Sequence, residues 1–322
     1  MSEKLSIEQG AELLRAVRTS VATRIVGQDA AIDDALVAFI ARGHLLIEGV
    51  PGTAKTLLVR TLSSALGLKF TRIQFTPDLM PSDVTGVSMQ RDPARGFEFQ
   101  PVPVFTQILL GDEINRAPAK TQSALLEAMG ERQVTVDGTS RHLDPLFTVF
   151  ATQNPVEHEG TYPLPEAQLD RFLLKTLVGY PAKDAELEML AHHEAGFDPE
   201  RAADAMVPPM LDAARAIELR ALVDGVRVAP EVREYIAAIT RATRDEGAIS
   251  LGASPRASVS LMRAARAAAV LEGRAYATPD DVKDRVPSAL RHRVTLSPEL
   301  EVEGRSVDDV LAAILLRIDA PK

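Results

Sequence analysis

The chain has 322 residues, which at about 150 residues per domain predicts two domains. Its net charge of −9 is the wrong sign for a protein that wraps nucleic acid without sequence preference, although a local basic surface is compatible with it. The chain contains no cysteine, which excludes disulfides, thiolate-bound zinc, iron–sulfur clusters and a cysteine nucleophile.

A membrane-spanning segment is not expected. The longest uncharged apolar stretches, such as Phe99–Gly111, are shorter than the ~20 residues that a spanning helix needs, and they contain prolines. The segment Ser2–Gly10 is polar and acidic and has no apolar run behind it, unlike a signal peptide. We therefore expect a soluble, cytoplasmic protein with no direct membrane insertion.

The first 200 residues predict alternating strands and helices. Ser6 and Gln9 have the spacing of a capping box for an amphipathic helix, and a second helix is expected over Gln28–Ala41. Five strand-like apolar runs follow: His44–Glu48, Lys69–Phe75, Ile108–Gly111, Phe147–Ala151 and Phe172–Leu177. Helices are expected between them at Lys55–Ala65 and Ala119–Met129. Apolar strands that alternate with helices indicate an α/β fold with a parallel sheet sandwiched by helices.

The second part of the chain has a different pattern. Beyond Tyr180-Pro181 the strand-like runs disappear, and Ala, Leu, Arg and Glu dominate. The segment Thr278–Asp281 supplies an N-cap, a first-turn proline and a capping acid for one late helix. We therefore predict a larger α/β domain over residues 1–200 and a smaller, all-helical domain over residues 201–322.

The segment Gly49–Thr56 is a candidate phosphate-binding loop between a strand and a helix. Glycines let backbone N–H groups curl around an anion, Lys55 reaches the outer phosphates of a nucleotide, and the Thr56 hydroxyl ligates Mg²⁺. Ala54 replaces the glycine of the strict pattern; we expect it to enter the helix with a negative φ, where a methyl group is tolerated. The alternative is an ordinary glycine turn before a helix.

Two carboxylates end the strand-like run at Ile108–Gly111. Asp112 is placed to hold the hydration shell of Mg²⁺, and Glu113 to polarise an attacking water. Taken alone, acidic residues after a strand can simply cap the next helix. Behind a phosphate-binding loop, they indicate a nucleotide-hydrolysing site.

Four motifs together resemble the MoxR family of AAA+ ATPases: Gly49–Thr56, Asp112–Ala117, Ala119–Met129 and Leu169–Phe172. The resemblance runs from Ile25–Gln28 to the helical tail, and Ala54 matches the way this family writes its loop. It implies an AAA+ P-loop NTPase core, a smaller all-α lid domain, and ATP and Mg²⁺ as cofactors. The nucleotide-binding residues implied are Val26, Gly27, Gly49, Pro51, Gly52, Thr53, Ala54, Lys55, Thr56, Leu57 and Asp112. The Mg²⁺ ligands implied are Thr56 and, through water, Asp112.

The resemblance also implies roles for four other segments. Asn154 resembles the sensor 1 amide, Arg171 the arginine finger that reaches the next subunit, and Arg256 the sensor 2 arginine. Ile25–Gln28 resembles the segment that lines the adenine pocket. The alternatives are an Asn-Pro turn, a surface ion pair, a solvated arginine stripe that includes Arg263, and plain core packing, respectively.

Two candidate hairpins interrupt the α/β pattern. Residues 86–99 resemble the helix-2 insert, and residues 133–143, with the turn signal Asp137-Gly138, resemble the pre-sensor 1 hairpin. In the family such elements face the central opening of a ring, so they are candidates for engaging a partner; the alternative is that they only pack. The six histidines suggest no site, because the adjacent His192 and His193 point about 100° apart on a helix.

The leading hypothesis is an ATP-hydrolysing ring motor, a homo-oligomer expected to be a hexamer, that remodels, matures or assembles another protein. The resemblance implies a von Willebrand factor type A domain protein as partner. A nucleic-acid motor or a magnesium-chelatase-like ATPase subunit is the alternative, but the second hairpin offers only Arg141 as a permanent cation, so no nucleic-acid partner is expected. A switch that binds ATP and hardly turns over is disfavoured by Glu113 and Arg171.

Overall fold

The computed structural model describes residues 4–92, 96–100, 103–155, 161–198, 201 and 206–321. The strands are β1 (Leu45–Gly49), β2 (Phe70–Gln74), β3 (Val87–Asp92), β4 (Gly96–Gln100), β5 (Ile108–Asp112), β6 (Gln133–Val136), β7 (Thr139–His142), β8 (Thr148–Gln153), β9 (Leu174–Val178), β10 (Ile249–Leu251) and β11 (Thr295–Leu296). The helices are α1 (Ile7–Ala22), α2 (Asp29–Ile40), α3 (Lys55–Ala65), α4 (Pro81–Thr85), α5 (Ala119–Glu131), α6 (Glu166–Leu169), α7 (Lys183–Glu194), α8 (Ala213–Gly225), α9 (Pro230–Asp245), α10 (Pro255–Leu271), α11 (Pro279–Leu290), α12 (Pro298–Val302) and α13 (Val307–Arg317). None of these helices is long and apolar enough to cross a lipid bilayer.

Five parallel strands form the central sheet in the order β2-β5-β8-β1-β9. Successive residues of β1 enter different apolar clusters: Leu45 and Ile47 pack with α1, α2 and α3, whereas Leu46 packs with α5. This alternation follows from the pleat, which points successive side chains to opposite faces. Both faces of the sheet are therefore covered, and the predicted α/β sandwich is confirmed.

The order of the strands brings three sequence motifs together. β5, β8 and β1 are neighbours and run in the same direction, so their carboxyl ends meet at one edge of the sheet. Asp112 ends β5, Gln153 ends β8 and Gly49 ends β1. In open parallel sheets this edge is where ligands bind.

Two hairpins project from this core. β3 and β4 pair antiparallel, and residues 93–95 between them lie outside the described residues. β6 and β7 are joined by Asp137 and Gly138, whose φ values of 50° and 74° are both left-handed, as a two-residue type I′ hairpin turn requires. The turn signal in the sequence therefore has a direct structural explanation.

The second domain is helical with one difference from the prediction. β10 and β11 pair antiparallel within it. These strands span three and two residues, which is too short for an alternating pattern to register in the sequence. The Thr278 cap is present: its side chain accepts from the backbone N–H of Asp281, and α11 begins at Pro279.

Polar contacts attach the second domain to the first. Arg285 on α11 donates to the buried carboxylate of Asp34 on α2 at 2.7 Å. Arg220 on α8 is almost fully buried and donates to the carbonyl oxygens of Phe39 and Pro145. Because a buried guanidinium requires partners for its N–H groups, these contacts fix how the two domains pack.

Candidate functional site

A cavity of about 860 Å³ opens at the carboxyl ends of β1, β5 and β8. The loop that follows β1 lines it, together with Asp112, Glu113 and Asn154 from the two neighbouring strand ends. Further lining residues come from the segment before α2 and from α7. The structure thus brings the phosphate-loop candidates and both carboxylates to one cavity.

The loop between β1 and α3 has the shape of an anion cradle. Lys55 opens α3, and its Nζ donates to the carbonyl oxygens of Gly49 and Val50 at 2.6 and 2.7 Å. Gly52 has a φ of +80° and open space where a side chain would stand. The N-terminus of α3 adds its positive end to the charge of Lys55, so this cavity wall favours phosphate groups.

Gly49 is required for a reason that the sequence did not indicate. A Cβ at this position would overlap the carbonyl oxygen of Val178 and lie 3.2 Å from its carbon, because β9 packs directly beside β1 here. The glycine therefore permits the close approach of two strands at the point where the loop leaves the sheet.

The expectation for Ala54 is wrong. Ala54 is the N-cap of α3 and has φ +59° and ψ 20°, so it lies in the left-handed region and not inside the helix. The physical reason is that the chain must turn sharply to bring Lys55 into the first helical turn while the loop closes. An L-residue with a Cβ pays about 1–2 kcal/mol for this conformation.

Asp112 is the centre of a buried polar network. Its Oδ2 accepts from the Thr56 hydroxyl at 3.1 Å, and its Oδ1 accepts from the Thr152 hydroxyl at 2.5 Å. A hydroxyl and a carboxylate side by side are the oxygen ligands that Mg²⁺ prefers. Thr56 and Asp112 therefore fit the predicted metal-binding pair.

Arg72 was missed by the sequence analysis. Its guanidinium lines the cavity and donates from Nε and Nη2 to Asp112 Oδ2 at 3.0 and 2.7 Å. Nη2 also donates to the Gln74 side chain at 2.6 Å. Both residues lie on the short strand β2, where no motif marks them, and only the pairing of β2 with β5 brings them to the carboxylates.

Glu113 directly follows β5, and its backbone N–H and its carboxylate both make polar contacts with other residues. Its φ of +56° is left-handed, and its backbone N–H donates to the Thr152 hydroxyl at 2.9 Å. Its Oε2 accepts from Gln74 Nε2 at 2.8 Å and lies 3.1 Å from Arg116 Nε. A hydrogen-bonded carboxylate on a strained backbone in a cavity is unlike a simple helix cap, and such backbone strain is concentrated at functional sites.

Apolar side chains cover the other side of the cavity. Ile25 and Val26 line it, as do Met189 and Leu190 of α7 and, further along the chain, Phe197. This wall is suited to the flat face of a nucleotide base. Gly27 itself is absent from the lining, although its two neighbours in the chain are present.

The contribution of α7 to this wall was not predicted, because α7 has no buried residue and therefore no helical burial pattern. His192 and His193, set aside in the sequence analysis, also line the cavity. Among the described residues no group of three or more His, Asp or Glu side chains could hold a metal.

Two of the four predicted catalytic residues lie away from the cavity. Arg171 packs against α5, where its Nη1 donates to the carbonyl oxygen of Leu126 at 2.6 Å. Arg256 at the start of α10 is 68% exposed, and its Nε lies 4.0 Å from the carboxylate of Asp170. Neither lines the cavity. The alternative for Arg256 was a solvated arginine stripe that includes Arg263. Arg263 is not fully solvated, because it donates to the carbonyl oxygen of Ala41.

The fold and the loop define a P-loop ATPase of the AAA class. A family model described as "ATPase family associated with various cellular activities (AAA)" matches residues 44–174, and the AAA lid domain model matches residues 241–314. The matched regions contain the phosphate loop, both carboxylates and the sensor 1 candidate in the first case, and most of the helical domain in the second.

Relatives specify the family within this class. The chain is 47% identical to "Uncharacterized protein YeaC" of Bacillus subtilis, over 89% of this chain and 88% of that protein, and 41% identical to "Chaperone MoxR1" of Mycobacterium tuberculosis, over 92% and 80%. A crystal structure of a Cytophaga hutchinsonii protein proposed to be an ATPase superimposes with a TM-score of 0.87 at 40% identity, covering 97% of this chain and 96% of the other. The chain belongs to the MoxR family of AAA+ ATPases.

Proposed function

We propose that this protein hydrolyses ATP to ADP and phosphate in a ring of identical subunits, and that the ring remodels another protein. The observation that carries the proposal is the arrangement of Glu113, which stands beside the Thr56–Asp112 pair and opens into the cavity of the phosphate loop. A general base, a metal-binding pair and an anion cradle in one cavity are the parts that phosphoryl transfer to water requires.

Each residue has a defined part in this proposal. Lys55 leaves the loop carbonyls to which it donates and binds the outer phosphates. Thr56 and Asp112 hold Mg²⁺, which when bound offsets the charge of the phosphates. Glu113 accepts a proton from the attacking water, and Asn154 on the neighbouring strand end orients that water.

Arg171 completes the site of a neighbouring subunit. Within its own subunit it packs on α5 and not at the cavity. A cation that offsets transition-state charge is worth about 10³–10⁵ in turnover in phosphate-loop enzymes. The arginines that line the cavity of one subunit are Arg24, Arg60 and Arg72, and Arg171 is not among them, so the proposal places Arg171 at the cavity of a neighbouring subunit in an oligomer.

The client is proposed to be a protein, in line with the printed name of the relative Chaperone MoxR1. A von Willebrand factor type A domain protein is the proposed partner class. The β6–β7 hairpin is proposed as a contact surface for the client; residues 133–143 contain one arginine and one aspartate and therefore have no excess positive charge for a nucleic acid.

Complementation between inactive subunits tests the proposal. Lys55→Ala removes ATP binding but keeps Arg171, and Arg171→Ala keeps ATP binding but donates no arginine. Each is expected to be nearly inactive in steady-state phosphate release, and an equimolar mixture is expected to regain part of the wild-type rate. Arg215→Ala, which removes a surface ion pair with Glu218, is the matched control and should keep full activity.

Three results would contradict the proposal. Unchanged ATP affinity of Lys55→Ala in isothermal titration would remove the phosphate-loop assignment. Failure of the mixture to regain activity would remove the role of Arg171 in a neighbouring site. Submicromolar DNA binding with stimulation of hydrolysis would favour a nucleic-acid motor over a protein remodeller.

A further inference from the structure

The backbone conformation of Gly130 does not require a glycine at this position. It lies in the last turn of α5, and its φ is outside the left-handed region that favours glycine. Glycine is disfavoured in a helix interior because it has more conformational freedom to lose on folding than alanine. A requirement other than backbone geometry therefore accounts for the absence of a side chain here.

The space beside Gly130 contains the guanidinium of Arg171. A Cβ built on Gly130 would overlap Arg171 Nη1 and lie 3.2 Å from Cζ. The same Nη1 donates to the carbonyl oxygen of Leu126, one turn earlier on α5, at 2.6 Å. The guanidinium therefore lies across α5 in the volume that any side chain at position 130 would take.

Hydrogen bonds restrain the chain on either side of Arg171. Arg293, whose side chain is only 2% exposed, donates from Nε to the Asp170 carboxylate at 2.6 Å. Its other nitrogens donate to the carbonyl oxygens of Phe172 and Leu173. One buried arginine of the second domain thus holds the chain before and after Arg171, so an overlap at position 130 is relieved most readily by displacing the Arg171 side chain.

We propose that Gly130 is a positioning residue that seats the Arg171 guanidinium in the orientation in which it is donated to the neighbouring subunit. This inference rests on the proposed role of Arg171 as an arginine finger. Gly130 acts only through Arg171, and it leaves the phosphate loop, Asp112 and Glu113 of its own subunit unchanged.

Gly130→Ala separates positioning from stability. The substituted methyl group meets the far end of a flexible side chain, so the variant is expected to fold, with a melting temperature close to that of the wild type, because the helix propensity of alanine offsets the loss of the contact between Arg171 and Leu126. It is expected to bind ATP with wild-type affinity and to hydrolyse it at least about tenfold more slowly. This loss is smaller than the one expected for removing the arginine altogether, because a misplaced guanidinium keeps part of its effect. Gly225→Ala, at the end of α8, is the matched control, because nothing lies within 4 Å of its added Cβ.

Mixed subunits show on which side of the interface the defect lies. A mixture of Gly130→Ala with Lys55→Ala should regain part of the wild-type rate, because the latter donates a correctly seated arginine. A mixture of Gly130→Ala with Arg171→Ala should not, because neither subunit donates one. A structural defect in the catalytic cavity would not produce this asymmetry.

Each remaining outcome overturns the inference. These outcomes are a wild-type rate, a rate above wild type, a lowered melting temperature, weakened ATP binding, and equal recovery in the two mixtures. A rate above wild type would show that the contact with α5 restrains Arg171 and does not present it. If Lys55→Ala and Arg171→Ala fail to complement each other, the proposed function fails first; if they do complement and Gly130→Ala is fully active, this inference alone fails.

Discussion

Two nitrogens of the Arg72 guanidinium donate to one oxygen of Asp112, at 3.0 and 2.7 Å, and that oxygen also accepts from Thr56. Asp112 and Thr56 are the residues that fit Mg²⁺. The Arg72 guanidinium therefore donates to Asp112 Oδ2, the same carboxylate oxygen that accepts from the Thr56 hydroxyl. Bound Mg²⁺ would compete with Arg72 for the negative charge of Asp112.

Arg72→Gln should make ATP binding more dependent on Mg²⁺. Without the guanidinium, the Asp112 carboxylate repels phosphates in the absence of metal and is fully available to the metal when it is present. The ratio of the ATP dissociation constants measured in EDTA and in Mg²⁺ should rise about tenfold or more, since hydrogen bonds to charged groups contribute about 1.5–3 kcal/mol. Isothermal titration measures both constants.

Arg24→Gln is the control for this ratio. Arg24 also lines the cavity, but its guanidinium stacks over Phe197, 5.2 Å from the ring centroid, on the apolar side. Its loss should leave the Mg²⁺ dependence unchanged. An equal ratio for wild type and Arg72→Gln would mean that Arg72 only supports the sheet edge.

Glu113→Gln should separate nucleotide binding from chemistry. Glutamine keeps the size of the side chain but cannot accept a proton, so ATP should bind and turnover should fall by about 10²–10⁴. Steady-state phosphate release and isothermal titration provide the two measurements. Glu48→Gln on β1, a carboxylate that pairs with Lys175 and is absent from the cavity lining, is the control. A wild-type rate for Glu113→Gln would reduce this residue to a helix cap.

The parts of the site that the sequence predicted are local in the chain. The loop at Gly49–Thr56 continues directly into α3, and Asp112 directly ends β5, so a strand, a turn and a charged residue mark each motif within a few positions. Parallel strands then place their carboxyl ends at one edge, and this geometry brings the motifs together without further information.

The parts that were missed depend on packing between distant segments. Arg72 reaches Asp112 only through the pairing of β2 with β5, and Phe197 reaches the cavity only because α7 folds over it. The contact of Gly130 with Arg171 likewise joins segments that no sequence pattern connects. The φ of Ala54 depends on how the whole loop closes, which the helical pattern that begins at Lys55 does not specify.

Ala54→Gly should stabilise the protein. The left-handed conformation costs alanine about 1–2 kcal/mol, and glycine adopts it freely, whereas glycine loses about 0.5–1 kcal/mol more entropy on folding. The free energy of unfolding should therefore rise by about 0.5–1 kcal/mol, measured by urea denaturation. Ala214→Gly, at an exposed position within α8, should instead lower it by about 1 kcal/mol. A loss of stability for both variants would contradict the strain at Ala54.

The final prediction concerns His44, a buried residue immediately before β1. Its Nδ1 accepts from the backbone N–H of Val149 at 2.9 Å, so its Nε2 bears the proton and faces the carbonyl oxygen of Met129 at 3.3 Å. Burial, reinforced by the positive charge of Arg132, lowers the pKa of His44 to about 3 from its ordinary value of 6.5. The imidazole is therefore neutral in the folded protein at any pH well above this lowered pKa.

The sign of the pH dependence follows from proton binding. Between the folded and unfolded pKa values the unfolded chain binds a proton at His44 that the folded chain does not, so stability falls as the pH falls below 6.5. His292 is buried and its pKa is also lowered, which adds to this loss, whereas burial raises the pKa of Asp34 and opposes it. A variant of His44 is needed to isolate its share.

His44→Asn provides that variant, because the amide oxygen can accept from Val149 in place of Nδ1 and does not titrate. The wild type should be more stable than His44→Asn by a margin that shrinks by about 1 kcal/mol between about pH 7 and about pH 5.5, as measured by urea denaturation at both values. A margin for His44→Asn that stays constant with pH would mean that His44 is protonated to the same extent in the folded and unfolded chain, and that burial at the start of β1 does not hold it neutral.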